Sequence, residues 1–526
     1  MDIRLEIKKC IENNKNFIVN GGAGSGKTYS LINTLSDIFE LDEKANVACI
    51  TYTKVAAQEI RNRIDIAKYN LHVSTIHEFL WANISNFQKT IKDILIDMYN
   101  KKYEEELLIN FPQDFEYDRF CNEINCIQYR DYRKINEGIL SHDDIIKISY
   151  CMFKNYRKIC DITNDKYDFI LIDEYQDSLK NVVKIFIEEL SKIDGKKSII
   201  GFFGDPMQKI YNTGIGEIID SNIVVINKSD NWRSSQIIVE LINKFRNDGI
   251  IQVAQGDNKD FASKCTFVYS NCKAFFEVKD MLHEKGLIDK DDDYKELYLT
   301  HNLIGKLNGS EDLFKLFSEK EKLIGDNKDD LIKHLEKIES MRSAYLNKRH
   351  HEILEILNIE IDTLARKDEL VKLLSSTFGN VDCTIEEMIN RCDSNNLICK
   401  DDIFKQRVNS EPDFYDKLKI IPYVQFVKCY QYVNHNSPFS TQHGVKGEEY
   451  NNVVVVLDNG NWNMYDYSTV LTGNQTNSKY ERSLKIMYVS FSRAKKNLCV
   501  YYYKPDSSAI VGAKRLFGTE NVIEIN

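Results

Sequence analysis

Several things are scarce in this chain, and each scarcity excludes something. Six prolines in 526 residues leave few enforced breaks, and no Gly/Ser-rich or Pro-rich stretch marks a linker. No apolar run approaches the roughly eighteen residues that a membrane span needs, so no membrane association is expected. The first residues, MDIRLEIKKC, are charged where a secretory leader would be apolar, and the expectation is a cytoplasmic protein. None of the thirteen cysteines forms a CxxC pair, and Cys49, Cys151 and Cys499 stand inside apolar segments as reduced core residues would. Cys383, Cys392 and Cys399 come nearest to a cluster, with spacings that match neither a zinc nor an iron–sulfur site. Excess positive charge is absent too: the net charge of -10 excludes a broadly basic surface but leaves room for a local track for a polyanion.

What is present is a series of short apolar runs bounded by polar or turn residues: Phe17–Val19, Val47–Ile50, Phe169–Ile172, Ile199–Phe203 and Val453–Leu457. Continuous apolarity over three to five residues is the pattern of a strand covered on both faces. Helical patterns lie between them, at Thr28 to Phe39 and Val55 to Ile66, so the skeleton is βαβ and the fold class is α/β with parallel sheets. Residues from about 82 to 150 and from about 311 to 435 are charged, rich in Tyr and Lys, and mostly helical in period, which marks them as insertions into two α/β lobes.

The strand Phe17–Val19 runs directly into Gly21-Gly22-Ala23-Gly24-Ser25-Gly26-Lys27-Thr28, and a helical pattern follows. This is GxxxxGK[ST] in the strand-to-helix context that a phosphate-binding loop requires. Glycines let backbone amides turn inward around phosphates, and the helix N-terminus adds its partial positive charge. Lys27 then neutralises the β- and γ-phosphates and Thr28 holds Mg²⁺, which makes ATP with Mg²⁺ the expected ligands. A second strand ending in carboxylates completes such a site, and Phe169–Ile172 is followed by Asp173 and Glu174. Asp173 is expected to bind Mg²⁺ through water and Glu174 to orient and deprotonate the attacking water. Phosphoryl transfer is accelerated chiefly by positive charge on the transition state, and Arg233 and Arg493 are the candidates, each following apolar or aromatic residues that could aim it.

In order, GGAGSGKT, TYTKVAAQEI, STIHEFL, LIDEYQDS, GDPMQKIY, NWRSS, TQHGVKGEEYNNVVV and IMYVSFSRAKKNL resemble the successive motifs of the UvrD/Rep/PcrA-like helicases of superfamily 1, from Gly21 to Leu498. The resemblance implies two RecA-like lobes. The first comprises residues 1–81 and 151–228 with a 1B-like insertion at 82–150, and the second 229–310 and 436–526 with a 2B-like insertion at 311–435. It implies that Gln208 reads the γ-phosphate, that Gly447 and Glu449 meet the nucleotide from the second lobe, that Arg233 and Arg493 are arginine fingers, and that Trp232 stacks on adenine where the family has Tyr. Contacts to DNA fall on Tyr52, Thr53, Thr75, His77, Tyr211, Thr441 and His443, whose hydroxyls, imidazoles and rings suit phosphate oxygens and unstacked bases. A structural, locally hydrogen-bonded role for His77 and His443 stays open.

The chain departs from the family in three places. No glutamine precedes Gly21 to select adenine; Tyr211 is followed by Asn212-Thr213-Gly214 where the family has an aromatic and an arginine; and both insertions are short. About thirty residues follow Arg493, too few for a nuclease domain, so any cutting is expected from a partner. The resemblance implies an ATP-driven motor on single-stranded or tailed duplex DNA, moving 3′ to 5′ in DNA repair or anti-phage defence. The alternative is an ATPase that senses DNA or nucleotide and regulates a nuclease without processive unwinding. Compact chains of this kind resemble the helicase subunit of Gabija-type defence systems, which work beside a TOPRIM-bearing nuclease.

Overall fold

The structure is a computed structural model that describes residues 2–525 except 65–67, 131, 193–194, 212, 289–293, 326–327, 360–362, 435–436 and 461. Ile66, Asn212 and the domain limit at residue 436 therefore lie outside the described residues. The chain divides into two compact units, Met1–Ala262 with Lys485–Ser492, and Ser263–Leu484 with Arg493–Asn526. Each holds a six-stranded, wholly parallel sheet, as the apolar runs predict.

In the first unit the strands are β1 (Phe17–Gly21), β2 (Val47–Thr51), β3 (Leu71–Thr75), β6 (Phe169–Asp173), β7 (Ile199–Gly204) and β8 (Val224–Lys228), in the order β3-β2-β6-β7-β1-β8. The pairs β4 (Gln128–Tyr129) with β5 (Ile139–Leu140) and β9 (Asp230–Asn231) with β10 (Val253–Ala254) form separate two-stranded ribbons. Side chains alternate between two cores. Phe17, Val19, Cys49 and Leu171 pack with Leu31, Leu35 and Ile38 of the helix Lys27–Leu41. Ile18, Ile50, Ile170 and Phe202 face the other way, into a core shared with Ile91, Leu95, Phe120 and Ile145 of the first insertion. Each fully buried Leu or Ile contributes roughly 1.5–3 kcal/mol, so the insertion is bound to the sheet by its own apolar face. Because all strands run the same way, Gly21, Thr51, Thr75, Asp173 and Gly204 end on one edge, where ligands of open α/β sheets collect.

The second unit orders β11 (Cys265–Ser270), β12 (Tyr294–Tyr298), β13 (Phe439–Thr441), β14 (Tyr450–Leu457), β15 (Ala494–Tyr503) and β16 (Val522–Glu524) as β13-β12-β14-β15-β11-β16. Between β12 and β13 the described residues hold helices and no strand, in keeping with a helical insertion. Its Leu331, Leu335, Ile338 and Met388 share a core with Val268, Val454, Val456 and Tyr501 of the sheet.

The limits of the units differ from the expected lobe boundaries. Residues 229–262 and 485–492, expected with the second lobe, group with the first. The cause is polar as much as apolar: Trp232 donates its backbone N–H to the Gly24 carbonyl at 2.8 Å, and Phe245 packs edge-on against Phe491 at 5.1 Å. Among the described residues, no disulfide joins any of the thirteen cysteines. Among the described residues no helix is long and apolar enough to cross a membrane.

Candidate nucleotide and nucleic-acid sites

The loop from Gly21 to Gly26 owes its shape to positions where no side chain fits. Gly24 and Gly26 each take a φ of +75°, in the left-handed region, and a Cβ on Gly24 would lie 2.7 Å from the Arg233 Cβ. Lys27 is buried and donates to the Gly21 and Gly22 carbonyls at 3.0 and 3.4 Å, folded back over the loop that it would share with phosphate. The buried Ser25 Oγ has no hydrogen-bond partner among the described residues, so the loop keeps unfilled polar capacity. That arrangement fits a polyphosphate.

Thr28 Oγ1 lies 3.4 Å from Asp173 Oδ2, so strand β6 brings its carboxylate to the hydroxyl at the start of the helix Lys27–Leu41. Burial pushes the Asp173 carboxyl upward and the neighbouring Glu174 charge adds to the rise, while Lys27 opposes it. Two crowded acids in a dry site are what a divalent cation relieves, and the pair fits Mg²⁺. Glu174 adopts φ +51°, a left-handed conformation that costs a non-glycine residue roughly 1–2 kcal/mol. The strain turns its carboxylate out of the strand direction, where Gln176 Nε2 donates to Glu174 Oε2 and Gln176 Oε1 accepts from the Asp205 N–H at 3.0 Å. Gln208 donates from Nε2 to Asp205 Oδ2 at 2.9 Å.

The segment 229–262 lies on this loop. Asn231 Nδ2 and Gln252 Nε2 both donate to the Ala23 carbonyl, at 3.0 and 3.1 Å, and Arg233 Nη1 donates to the Ser492 carbonyl at 3.1 Å. Trp232 is exposed, with its Cδ1 4.0 Å from where a Cβ on Gly26 would stand. A cavity of about 310 Å³ opens alongside, lined by Arg4, Tyr29, Ser30, Lys228 and Asp230 among others. Sequence reasoning missed Lys228, whose Nζ donates to Ser30 Oγ at 2.8 Å, together with Asn231, Gln252, Arg246 and Tyr488. Tyr488 and Asn231 stand inside motifs and could have been singled out; nothing local marks Arg246 or Gln252.

The nucleic-acid candidates of the first unit occupy the same sheet edge. Tyr52 and Tyr211 are exposed and nearly parallel, ring centroids 6.5 Å apart and planes 18° apart. Thr53 and Thr75 accept, through Oγ1, the N–H groups of Ala56 and Glu78 as helix caps, and the Thr75 side chain also bonds the Glu78 carboxylate. His77 packs against His142 at 4.6 Å, and burial, then the His142 charge, pushes its pKa down to about 4. At neutral pH His77 is therefore uncharged.

In the second unit, Thr441 at the end of β13 repeats the threonine pattern, its Oγ1 accepting from the Gly444 N–H at 2.9 Å. His443 bonds the Tyr465 hydroxyl at 2.8 Å and lies 5.7 Å from the Trp462 ring; burial lowers its pKa to about 4. Gly447 takes φ +92°, Glu449 pairs with Lys495 at 2.8 Å, and the buried Arg493 donates to the Glu448 carbonyl at 3.2 Å. A cavity of about 700 Å³ in this unit, lined by Lys306, Lys315, Tyr502 and Lys504, contains none of the residues expected from the motifs.

Comparison with known proteins finds the following similarities. The family described as AAA domain matches residues 5–214. The chain is 26% identical to "Gabija protein GajB" of Bacillus cereus (strain HuB5-5) in an alignment of 671 positions covering 97% of this chain and 96% of that protein. The namesake of Bacillus cereus (strain VD045) is 26% identical over 46% of this chain and 48% of its own. "ATP-dependent DNA helicase PcrA" of Staphylococcus aureus (strain Mu50 / ATCC 700699) is 25% identical over 43% of this chain and 37% of its own length.

Proposed function

We propose that this chain is an ATP hydrolase of the UvrD-like superfamily 1 helicase kind that moves on single-stranded DNA, 3′ to 5′, in anti-phage defence or DNA repair, a reading supported by the AAA domain match over residues 5–214 and the similarity to Gabija protein GajB and to PcrA. One observation carries the reading. A glycine-shaped loop, a buried Lys27 and the Thr28–Asp173 pair at 3.4 Å stand on one sheet edge beside a strained Glu174. Thr28 and Asp173 would hold Mg²⁺, which when bound draws charge from the phosphates. Lys27 neutralises phosphate charge, Glu174 orients the attacking water and accepts its proton, and Gln208 reports the third phosphate. Trp232 offers a face for the base, and Arg233 sits against Gly24 ready to meet developing charge. Arg493, Gly447 and Glu449 are assigned to the nucleotide on their motifs alone.

Single-stranded DNA is proposed to lie along the edge marked by Tyr52, Thr53, Thr75, His77 and Tyr211; Thr441 and His443 are assigned to DNA on their motifs alone. Hydroxyl protons serve phosphate oxygens and the two tyrosine rings serve bases. A second reading, a DNA- or nucleotide-sensing ATPase that regulates a partner nuclease in the cytoplasm, is favoured by the near end-to-end match with Gabija protein GajB. The test is ATP turnover with and without single-stranded DNA, run beside strand displacement on a 3′-tailed duplex. Stimulated turnover with displacement supports the motor, and stimulated turnover without displacement selects the sensor. Turnover indifferent to DNA would refute the motor and the DNA-sensing form of the second reading.

A further inference from the structure

The first unit contains a largely buried chain of hydrogen bonds, relayed through Asp205, from the phosphate loop to Gln208 and Glu174, two of the groups given roles in hydrolysis. The Ala23 N–H donates to the Tyr488 hydroxyl at 3.0 Å, and that hydroxyl donates to Asp205 Oδ2 at 3.2 Å. The same oxygen accepts from Gln208 Nε2 at 2.9 Å. Through its backbone N–H, Asp205 reaches Gln176 and so Glu174. Arg246 closes the arrangement: Nη1 and Nη2 donate to both Asp205 oxygens at 3.3 and 3.2 Å, Nη1 also reaches the Tyr488 hydroxyl, and Asp248 braces the guanidinium through Nε at 3.1 Å. The Arg246 guanidinium also lies over the Tyr488 ring, 5.2 Å from its centroid. Asp205 and Tyr488 are wholly buried, and the Arg246 side chain is 1% exposed.

A buried ion pair is a poor means of stabilising a core, since apolar residues of the same volume usually do as well. What it supplies is direction, because every member has its donors and acceptors committed. We infer that Arg246 and Tyr488 are positioning residues that hold Gln208 and Glu174 in register with the phosphate loop, acting through Asp205. The inference rests on the nucleotide reading above and adds to it two residues to which that reading gives no role. Burial would raise the Asp205 carboxyl, but the Arg246 charge beside it overrides that and holds it below the usual value, so it stays an acceptor for Gln208.

The test uses the full chain with Mg-ATP and saturating single-stranded oligonucleotide. Tyr488→Phe keeps the ring and removes the one atom that joins Ala23 to Asp205. It should lower kcat on the order of 10-fold to 100-fold with KM little changed, because misplacement costs the chemical step more than binding. Arg246→Lys keeps the charge and loses the two-pronged grip; it should lower kcat in the same way and fold normally. In a Gln208→Ala background, Tyr488→Phe should cost less in kcat than it does in the wild type, since Glu174 alone is left to position. Multiplying losses in the double variant, or a raised KM with kcat intact, would overturn the inference. If Lys27→Ala-sensitive hydrolysis is absent from the wild type, the nucleotide reading fails and this inference with it. If that hydrolysis is present and Tyr488→Phe retains it in full, the inference alone fails.

Discussion

Replacing Arg246 with methionine isolates the cost of a buried carboxylate that has lost its counter-charge. In the native structure Asp205 is fully buried and accepts from both guanidinium nitrogens. After Arg246→Met it keeps the Met207 N–H at 3.1 Å, Gln208 Nε2 at 2.9 Å and the Tyr488 hydroxyl at 3.2 Å. Three surviving donors place the loss at the lower end of the range for breaking a buried pair, about 3 kcal/mol. For a unit of this size that is a fall in melting temperature of roughly 6–12 °C. Without the guanidinium the folded Asp205 pKa rises above its unfolded value, so the folded form binds protons more readily and the deficit should shrink as pH falls. Asp205→Asn combined with Arg246→Met removes the stranded charge and should recover much of the loss. Differential scanning fluorimetry of the wild type and the two variants, over a pH series, reads all of this. A single variant within 1 °C of the wild type, or a double variant no better than Arg246→Met, would refute the argument.

Lys27→Ala and Glu174→Gln should each abolish ATP turnover with melting curves close to wild type, measured by steady-state phosphate release. Normal turnover in either removes that residue's assignment. Arg493→Ala should bind nucleotide as the wild type does, by equilibrium titration, while hydrolysis falls about 10³-fold or more. His77, His301 and His443 each have a pKa lowered to about 4, chiefly by burial. The unfolded chain therefore binds more protons than the folded one between about pH 4 and about pH 6.5. Their stabilising effect is complete above about pH 6.5 and is lost as pH falls through about 4. His77→Gln should flatten the acid side of the melting-temperature profile; an unchanged slope counts against the burial argument.

How much of this was legible in the linear chain follows from the range of the physics. Val47–Ile50 and Ile199–Phe203 announce strands because apolarity unbroken over a few residues has few other homes. The spacing from Gly21 to Thr28 announces a phosphate loop because glycine, lysine and hydroxyl must sit within one turn of chain. Strand β12 escaped notice because Lys295 and Glu296 interrupt it. Both are buried there, Lys295 donating to the Ser437 carbonyl at 2.8 Å and Glu296 accepting from the Tyr298 hydroxyl at 2.7 Å. No local pattern foretells partners more than a hundred residues away. The same holds for the grouping of residues 229–262 with the first unit, which depends on bonds from Asn231 and Gln252 to Ala23. Arg246 looks like any arginine until folding sets it against Asp205, forty-one residues earlier. Composition and spacing thus determined which elements form and which chemistry they carry. Only tertiary structure decided which distant side chains complete that chemistry, because a hydrogen bond acts over about 3 Å in space and is indifferent to distance along the chain.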